Sequence, residues 1–120
     1  MKDGLTHIGL QFWRPTSKGQ IELVDNFKPI DDSTIINFCK WGNAHNVRVL
    51  LCVYNSTRNG WNWDLAKNVF ETHRKQFIAA LVAETVRLKL GGVDIDFEGK
   101  GKCEDDKKAF VKFIMELSIA

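Results

Sequence analysis

The sequence predicts an α/β fold in which three parallel strands alternate with three helices, in the order βαβαβα. Two kinds of pattern predict it. Short apolar runs rich in β-branched residues are typical of strands that are covered on both faces in a parallel sheet. Longer stretches with apolar residues three or four positions apart are typical of helices that pack on such a sheet. Their alternation predicts right-handed crossovers with the helices outside the sheet.

Three segments have the pattern of strands. Thr6–Trp13 is apolar and aromatic and leads into turn-forming residues, Val47–Tyr54 is almost continuously apolar, and Val93–Phe97 is short and follows two glycines. The segment Ile21–Pro29 is polar and is predicted to be irregular. The segment Asn55–Asp64 holds turn-forming residues and two tryptophans, and it is predicted to be a loop.

Three further segments have the pattern of helices. The first helix is predicted to be capped by Asp32 or Ser33 and to place Trp41 in the core. The second, Thr72–Lys89, carries a continuous apolar stripe and is ended by the glycines that follow it. The third follows the polar link Gly99–Asp105 and is predicted from a stripe of four apolar residues. These are Phe110, Phe113, Ile114 and Leu117.

The number of repeats limits the architecture. An eight-fold barrel of parallel strands and helices usually needs about 250 residues, whereas this chain has 120. The sequence therefore predicts either an open sheet or a partial (β/α)8 TIM barrel of three βα units. In the second case residues 1–120 form a single segment of a larger domain.

Composition and charge are those of an ordinary globular domain. Apolar residues make up 44% of the chain and charged residues 27%. The net charge of +2 comes from 17 basic and 15 acidic residues spread along the chain, so neither nucleic acid nor a membrane surface is indicated as a partner. Cys39, Cys52 and Cys103 cannot all pair with one another, and the first two lie in apolar segments, so reduced, buried thiols are expected.

No segment has the apolar length of about 20 residues that a membrane-spanning helix needs. The first six residues lack the hydrophobic stretch of a secretory signal. If the parent protein is secreted or carried to the cell surface, its signal is therefore expected to lie outside this chain.

The segment GGVDIDFEGK, residues 91–100, is the most informative part of the sequence. On a strand, Asp94, Asp96 and Glu98 point to one face, with neighbours about 7 Å apart. Such acids can simply face water, and a hard cation is a second alternative. A strand between two helices is instead covered by them, so its other face looks into a barrel or crevice. Glu98 lies at the carboxyl end, where parallel α/β folds place their chemistry, and a functional site is predicted.

These acids resemble the signature of the family 18 glycoside hydrolases, which is an aspartate, two residues, and then Asp-x-Asp-x-Glu at the end of the fourth barrel strand. Asp94, Asp96 and Glu98 match its second part. Leu5–Phe12 is similar to the family's second strand, and Arg48–Val53 is similar to its third. The resemblance implies that the chain is a fragment of the catalytic domain, with its second to fourth strand-helix units.

The resemblance also implies a mechanism and a substrate. Glu98 would protonate the glycosidic oxygen, Asp96 would orient the 2-acetamido group of the sugar and stabilise the oxazolinium ion that it forms, and Asp94 would support Asp96. This reaction is substrate-assisted and retaining, and it implies no cofactor or metal ion. The implied partner is an N-acetylglucosamine-containing polysaccharide, chitin first, with peptidoglycan and N-glycan cores as alternatives. A non-catalytic chitin-binding lectin is a third hypothesis.

Two residues depart from the family's pattern. Gly91 stands at the first aspartate of the signature, and Cys52 stands at the serine of the Ser-x-Gly-Gly ending of the family's third strand. The resemblance implies that these two positions face each other beneath the acids, so their joint replacement leaves neither partner unsatisfied. The expected result is a working but weaker site in which Asp94 is less tuned.

Side chains at or just after the carboxyl ends of the strands are candidate sugar contacts. Trp61 and Trp63 lie in the predicted loop, on the same rim as Glu98, and tryptophan stacks well on a pyranose ring. The alternative for these two residues is that they cover the edge of the barrel. Trp13 lies just past the first predicted strand and has a similar claim. The complete set of predicted sugar-binding residues is Phe12, Trp13, Tyr54, Asn55, Trp61 and Trp63.

The resemblance leaves the barrel incomplete, because the family's first strand and everything after its fourth helix have no counterpart in the chain. A three-stranded sheet with two open edges exposes apolar surface. The expected partner is therefore the remainder of the barrel in a larger polypeptide, or a second copy of the chain. The isolated chain is expected to be inactive.

Overall fold

Within residues 4–101 and 103–120, which a computed structural model describes, the chain forms a four-stranded sheet, a two-stranded hairpin and four α-helices. The side chains of Asp25 and Cys103 are outside the description. The strands are β1 (His7–Pro15), β2 (Ile21–Leu23), β3 (Arg48–Tyr54), β4 (Ser56–Thr57), β5 (Gly60–Trp61) and β6 (Val93–Asp96). The α-helices are α1 (Asp32–Ala44), α2 (Trp63–Lys67), α3 (Arg74–Arg87) and α4 (Cys103–Ser118). Single turns of 3-10 helix and π-helix lie at Asp25–Phe27 and Asn68–Thr72.

Strands β1, β3 and β6 run parallel in the main sheet. The order across that sheet is β2-β1-β3-β6, so β3 lies between the other two parallel strands. Each parallel pair is joined by a crossover that contains a helix, α1 before β3 and α3 before β6. The predicted α/β architecture of three βα units with parallel strands, as in part of a barrel, is confirmed.

One segment that was predicted to be irregular contains a strand. β2 pairs antiparallel with the end of β1, with Leu23 opposite Trp13. The turn between them is closed by the hydroxyl of Thr16, which accepts hydrogen bonds from the N–H groups of Lys18 and Gln20 at 3.3 and 3.1 Å. A strand of three residues is too short to display an alternating pattern, which is why the sequence did not indicate it.

Helix α1 begins at a different cap from the predicted ones. The carboxylate of Asp31 accepts a hydrogen bond from the Thr34 N–H at 2.8 Å, and others from the hydroxyl groups of Thr34 and Ser33. These bonds, those from Thr34 first, lower the pKa of Asp31. Asp32 is instead the first residue of the helix, so the predicted start, at Asp32 or Ser33, was one or two residues late.

Trp41 is not in the core, contrary to the prediction. It is 38% exposed and stacks on Phe38 and on His45, with ring centroids 5.4 and 4.8 Å away. The buried stripe of α1 passes through position 42. The preceding position points about 100° away around the helix, which carries the indole out of the core.

The predicted loop after β3 is largely structured. β4 and β5 form a hairpin, and a helical run then begins at Trp63, well before the predicted start at Thr72. The amide oxygen of Asn62 caps this run by accepting the Leu65 N–H at 3.0 Å. The run continues through α2, the π-helical turn and α3 to Arg87.

The hydrophobic core lies between one face of the sheet and the α-helices, to which α1 and α2 also contribute. Leu51 and Val53 of β3 are buried together with Phe77 and Leu81 of α3 and Phe113 of α4. Burial of each such side chain stabilises the fold by about 1.5–3 kcal/mol relative to its exposure. Because these helices cover one face of the strands, the opposite face is left for polar side chains.

Two further predictions bear on the thiols and on membranes. Cys39 and Cys52 are buried and free, as predicted, whereas the predicted thiol at position 103 lies outside the described side chains. Among the described helices, none combines the length and the apolar character that crossing a bilayer needs.

Candidate active site

The face of the sheet away from the core carries the predicted acids. In the register of β3 and β6, Cys52 lies beside Asp94 and Tyr54 lies beside Asp96. Successive strand positions point to opposite faces, so these four side chains share the face opposite to the buried Val53. Asp94 is exposed and Asp96 is half-buried. We call this surface of β3 and β6, with the part of β1 that flanks it, the inner face.

Glu98 lies beyond the end of β6, since the strand stops at Asp96 and not at the predicted Phe97. Its side chain is exposed. Both polar groups of its main chain are bonded to the side chain of Asn55. The Glu98 N–H donates to Asn55 Oδ1 at 2.9 Å, and Asn55 Nδ2 donates to the Glu98 carbonyl oxygen at 2.8 Å. The predicted acid is therefore open to solvent on a backbone that is held in place.

Asn55 is not available as a sugar contact, contrary to the prediction. It is 0% exposed, and its Nδ2 also donates to the carbonyl oxygen of Asn62 at 2.9 Å. Both N–H groups and the oxygen of the amide are thus engaged within the protein. Asn55 acts on the backbone of Glu98 instead of on a bound sugar.

Asp96 is held by a residue of β1. Gln11 Nε2 donates to Asp96 Oδ2 at 2.6 Å. β1 and β6 are not neighbours in the sheet, because β3 lies between them. Neighbouring strands lie about 4.8 Å apart, so a direct bond across β3 means that the inner face is concave.

Asp94, and not Gly91, lies beside Cys52 and bonds to it, which corrects the prediction that Cys52 and Gly91 face each other. Burial, followed by the hydrogen bond to Asp94, raises the pKa of the Cys52 thiol to about 12. Gly91 does not face Cys52, since its N–H donates to the Val49 carbonyl oxygen at 2.7 Å, further down the strands. The two departures from the family's pattern are therefore not linked. Asp94 keeps a donor, because the thiol supplies it.

Tyr54 remains a candidate sugar contact. It is half-buried on the inner face, beside Asp96. Burial raises the pKa of its phenol, Arg14 opposes that rise, and Cys52 adds to it. The phenol is therefore a neutral donor and acceptor at neutral pH.

The two tryptophans of the hairpin region differ in environment. Trp61 lies on β5 and is 41% exposed. Trp63 is half-buried at the start of α2, where its Nε1–H donates to Asp106 Oδ2 at 2.9 Å and its ring meets the edge of Phe70 at 5.7 Å. These contacts agree with the alternative that Trp63 covers the edge of the barrel and does not contact sugar. Trp61 keeps a surface on which a sugar can stack.

Trp13 and Phe12 lie on the other side of the sheet, so their prediction as sugar contacts is wrong. Trp13 is 1% exposed, and its Nε1–H donates to Glu84 of α3 at 3.3 Å. The pairing of β1 with β3 shifts between Leu10 and Trp13, which is a β-bulge. The extra residue turns Trp13 towards the helices. Phe12 packs on Phe27 at 4.7 Å and lines an apolar groove against α1.

Sequence reasoning missed three residues of the site: Gly9, Gln11 and Asn62. Gly9 and Gln11 are two positions apart on β1, so strand alternation puts both on one face. An amide inside an apolar strand was a signal that could have indicated Gln11. No local pattern indicated that the carbonyl of Asn62 would accept a bond from Asn55, because that depends on how the hairpin folds.

The sequence model of the glycosyl hydrolases family 18 matches residues 1–120 of this chain. Among curated protein sequences, none matches it. Several solved structures are similar to it. One is a chitinase from Chromobacterium violaceum ATCC 12472, 23% identical with a TM-score of 0.76, where the match covers 95% of this chain and 34% of that one.

A chitinase from Bacteroides thetaiotaomicron is 24% identical with a TM-score of 0.75, over 97% of this chain and 35% of that one. The Bacillus cereus spore cortex-lytic enzyme SleL is 17% identical with a TM-score of 0.76, over 96% of this chain and 25% of that one. At these identities the similarity shows the fold. The chain spans about a quarter to a third of the length of these three structures.

Proposed function

The chain belongs to the glycosyl hydrolases of family 18, and on that premise we propose that it carries the acid of an enzyme that hydrolyses β-1,4 bonds in N-acetylglucosamine polymers. The observation that supports the proposal most is the position of Glu98. Its side chain is exposed just past the carboxyl end of β6, while Asn55 holds its main chain. Parallel α/β barrels carry their chemistry at this end of the strands.

In the proposed reaction Glu98 is the general acid. Its carboxyl group gives a proton to the glycosidic oxygen as the bond from that oxygen to the anomeric carbon breaks. The carbonyl oxygen of the sugar's own 2-acetamido group attacks the anomeric carbon, and an oxazolinium ion forms. Water then opens this ion, the Glu98 carboxylate takes a proton from the water, and the configuration at the anomeric carbon is retained.

We assign to Asp96 the role of orienting the acetamido group. Gln11 occupies Asp96 Oδ2, and we assign Oδ1 as the acceptor for the acetamido N–H. A carboxylate at this position also stabilises the positive charge of the oxazolinium ion. Asp94 lies two residues before Asp96 on the same face of β6, where it is hydrogen-bonded to the Cys52 thiol. We assign it the role of supporting Asp96 from that position.

Two substrate classes follow from different observations. The fold similarity to two chitinases supports chitin as the first. The similarity to a spore cortex-lytic enzyme supports peptidoglycan as the second. Both polymers contain N-acetylglucosamine, so the same mechanism applies to each.

The proposed partner within the molecule is the remainder of the barrel. In the described part of the chain, an open groove runs between α3, β6 and α4, lined by apolar residues that include Val82, Val93 and Ile114. Val86, which also lines this groove, is 72% exposed. Further strands and helices pairing with β6, or a second copy of the chain, would cover these side chains.

The test compares the 120-residue chain with the longest polypeptide that its gene encodes. Both are incubated with chitin oligomers, peptidoglycan and a high-mannose glycopeptide, and the release of reducing ends is measured. Glu98→Gln is the diagnostic variant, because it keeps the shape of the side chain but cannot give up a proton. Glu104→Gln is the matched control, since Glu104 is an exposed residue of α4 away from the inner face.

We expect the longer polypeptide to cleave one of the three substrates and Glu98→Gln to abolish turnover while binding is spared. Glu104→Gln should leave turnover unchanged. If Glu98→Gln kept more than a small fraction of activity, the assignment of the acid would be wrong. Tight binding of chitin oligomers by the longer polypeptide without any cleavage would instead support a lectin.

A further inference from the structure

The main chain at Glu98 is hydrogen-bonded to a side chain, at a place where a strand would pair with the main chain of its neighbouring strand. The ladder between β3 and β6 ends with Tyr54 beside Asp96. Beyond that point Asn55 Oδ1 accepts a hydrogen bond from the Glu98 N–H at 2.9 Å, and Asn55 Nδ2 donates one to the Glu98 carbonyl oxygen at 2.8 Å. The side-chain amide thus has the donor and acceptor of a peptide group and extends the pairing to Glu98.

The same amide ties Glu98 to the segment that follows the hairpin. Asn55 Nδ2 donates to the Asn62 carbonyl oxygen, and the Asn62 N–H donates to the Asn55 carbonyl oxygen, each at 2.9 Å. Asn62 in turn caps α2 through its own side chain. Losing the amide of the fully buried Asn55 would leave several of these groups without their partner in the protein.

We propose that Asn55 is a positioning residue for Glu98, which fixes the backbone of the acid so that its carboxyl group meets the glycosidic oxygen. The inference rests on the proposed function of Glu98. Asn55 touches no substrate, since none of its surface is exposed, so it acts only through Glu98. Proton transfer requires the acid within hydrogen-bond reach of the leaving oxygen, and a misplacement of about 1 Å can cost roughly 100-fold in rate.

The geometry requires asparagine in particular. Two carbonyl oxygens, those of Glu98 and Asn62, converge on Nδ2, and one N–H points at Oδ1. Aspartate would set an oxygen against both carbonyls. Serine has a single proton to donate and is too short to reach all three groups. Glycine, the residue of the chitinase pattern, supplies none of these bonds.

The test replaces Asn55 by alanine and by serine in the longest polypeptide that the gene encodes. Serine is included because it keeps a polar atom in the buried space if alanine prevents folding. Asn68 supplies the matched control, since its Nδ2 also donates to a backbone carbonyl, that of Ser17, at 2.7 Å, but away from the site. Steady-state kinetics on the preferred oligomer and hydrogen exchange of the peptide that contains Glu98 are measured for each variant.

We expect the Asn55 variants to lose about 10- to 100-fold in kcat with KM nearly unchanged, and the Glu98 amide to exchange faster. Asn68→Ala should lose stability without any change in kcat or in Glu98 exchange. Asn55 variants with the kcat of the wild type, or with losses that Asn68→Ala reproduces, would overturn the proposal. An inactive wild type would refute the proposed function itself, and the hold on Glu98 would then be judged by hydrogen exchange alone, where unchanged protection would overturn it.

Discussion

Replacing Gly9 by alanine probes the contact between Asp94 and the first strand. The added methyl carbon would lie 3.0 Å from Asp94 Oδ2 and 3.5 Å from Cys52 Cβ. The first distance is shorter than an ordinary van der Waals contact, whereas the second is ordinary. Asp94 Oδ2 is the end of a side chain, so we expect it to move by a few tenths of an ångström. That movement weakens its bond to the Cys52 thiol.

The size of the effect follows from that bond. An intramolecular hydrogen bond contributes about 0.5–1.5 kcal/mol, and a factor of ten in rate corresponds to about 1.36 kcal/mol. If Asp94 supports Asp96 as proposed, Gly9→Ala lowers kcat by at most about 10-fold, which is the limit at which the whole bond is lost. The free energy of unfolding should change little, because the reduced freedom of the unfolded chain favours alanine by about 0.4–1 kcal/mol and offsets the close contact.

The assays are kcat on the preferred oligomer and the rate at which Cys52 is alkylated, followed by peptide mapping to separate it from Cys39. Because Asp94 helps to raise the pKa of Cys52 to about 12, weakening their bond lowers that pKa and speeds alkylation at a fixed pH. Gly91→Ala is the control, since its methyl carbon would meet its neighbours at 3.4 Å or more. Unchanged kcat together with unchanged alkylation in Gly9→Ala would refute the described packing.

Two other predictions concern the tryptophans and the first helix cap. Trp61→Ala should raise KM, measured by oligomer titration, without changing the melting temperature. Trp63→Phe should lower the free energy of unfolding by about 1–3 kcal/mol, because Asp106 loses its indole donor. Thermal melts check the second prediction, and a Trp63→Phe variant as stable as the wild type would contradict it. Asp31→Ala should lower the melting temperature. Since the pKa of Asp31 is below its ordinary value of 3.8 in the folded chain, its contribution is full above pH 3.8 and is lost as the pH falls through the lowered pKa. Melts as a function of pH would contradict this if the difference from the wild type were constant.

The parallel strands and the acid row were predictable because both follow from local periods. Burial of β3 on both of its faces gives a nearly unbroken apolar run at Val47–Tyr54, and the period of two puts Asp94 and Asp96 on one face. The family motif then supplied the proposed role of Glu98. Each of these inferences needs only residues that are close together in the chain.

The errors arose where distant segments decide the outcome. The bulge that turns Trp13 away from the inner face exists only in the pairing of β1 with β3. The burial of Asn55 depends on Glu98, which is 43 positions away. Trp63 was mistaken for a loop residue because the cap at Asn62, and not an apolar stripe, starts its helix.

The bond between Gln11 and Asp96 joins residues 85 positions apart on strands that are not neighbours. The two side chains thereby constrain the curvature of the sheet. A strand that adds to the free edge of β6 therefore meets a template that is already bent, and each later strand is guided towards a closed ring instead of a flat sheet. In the barrel that we propose, three strand-helix units of this kind would be a curved template for the remaining strands.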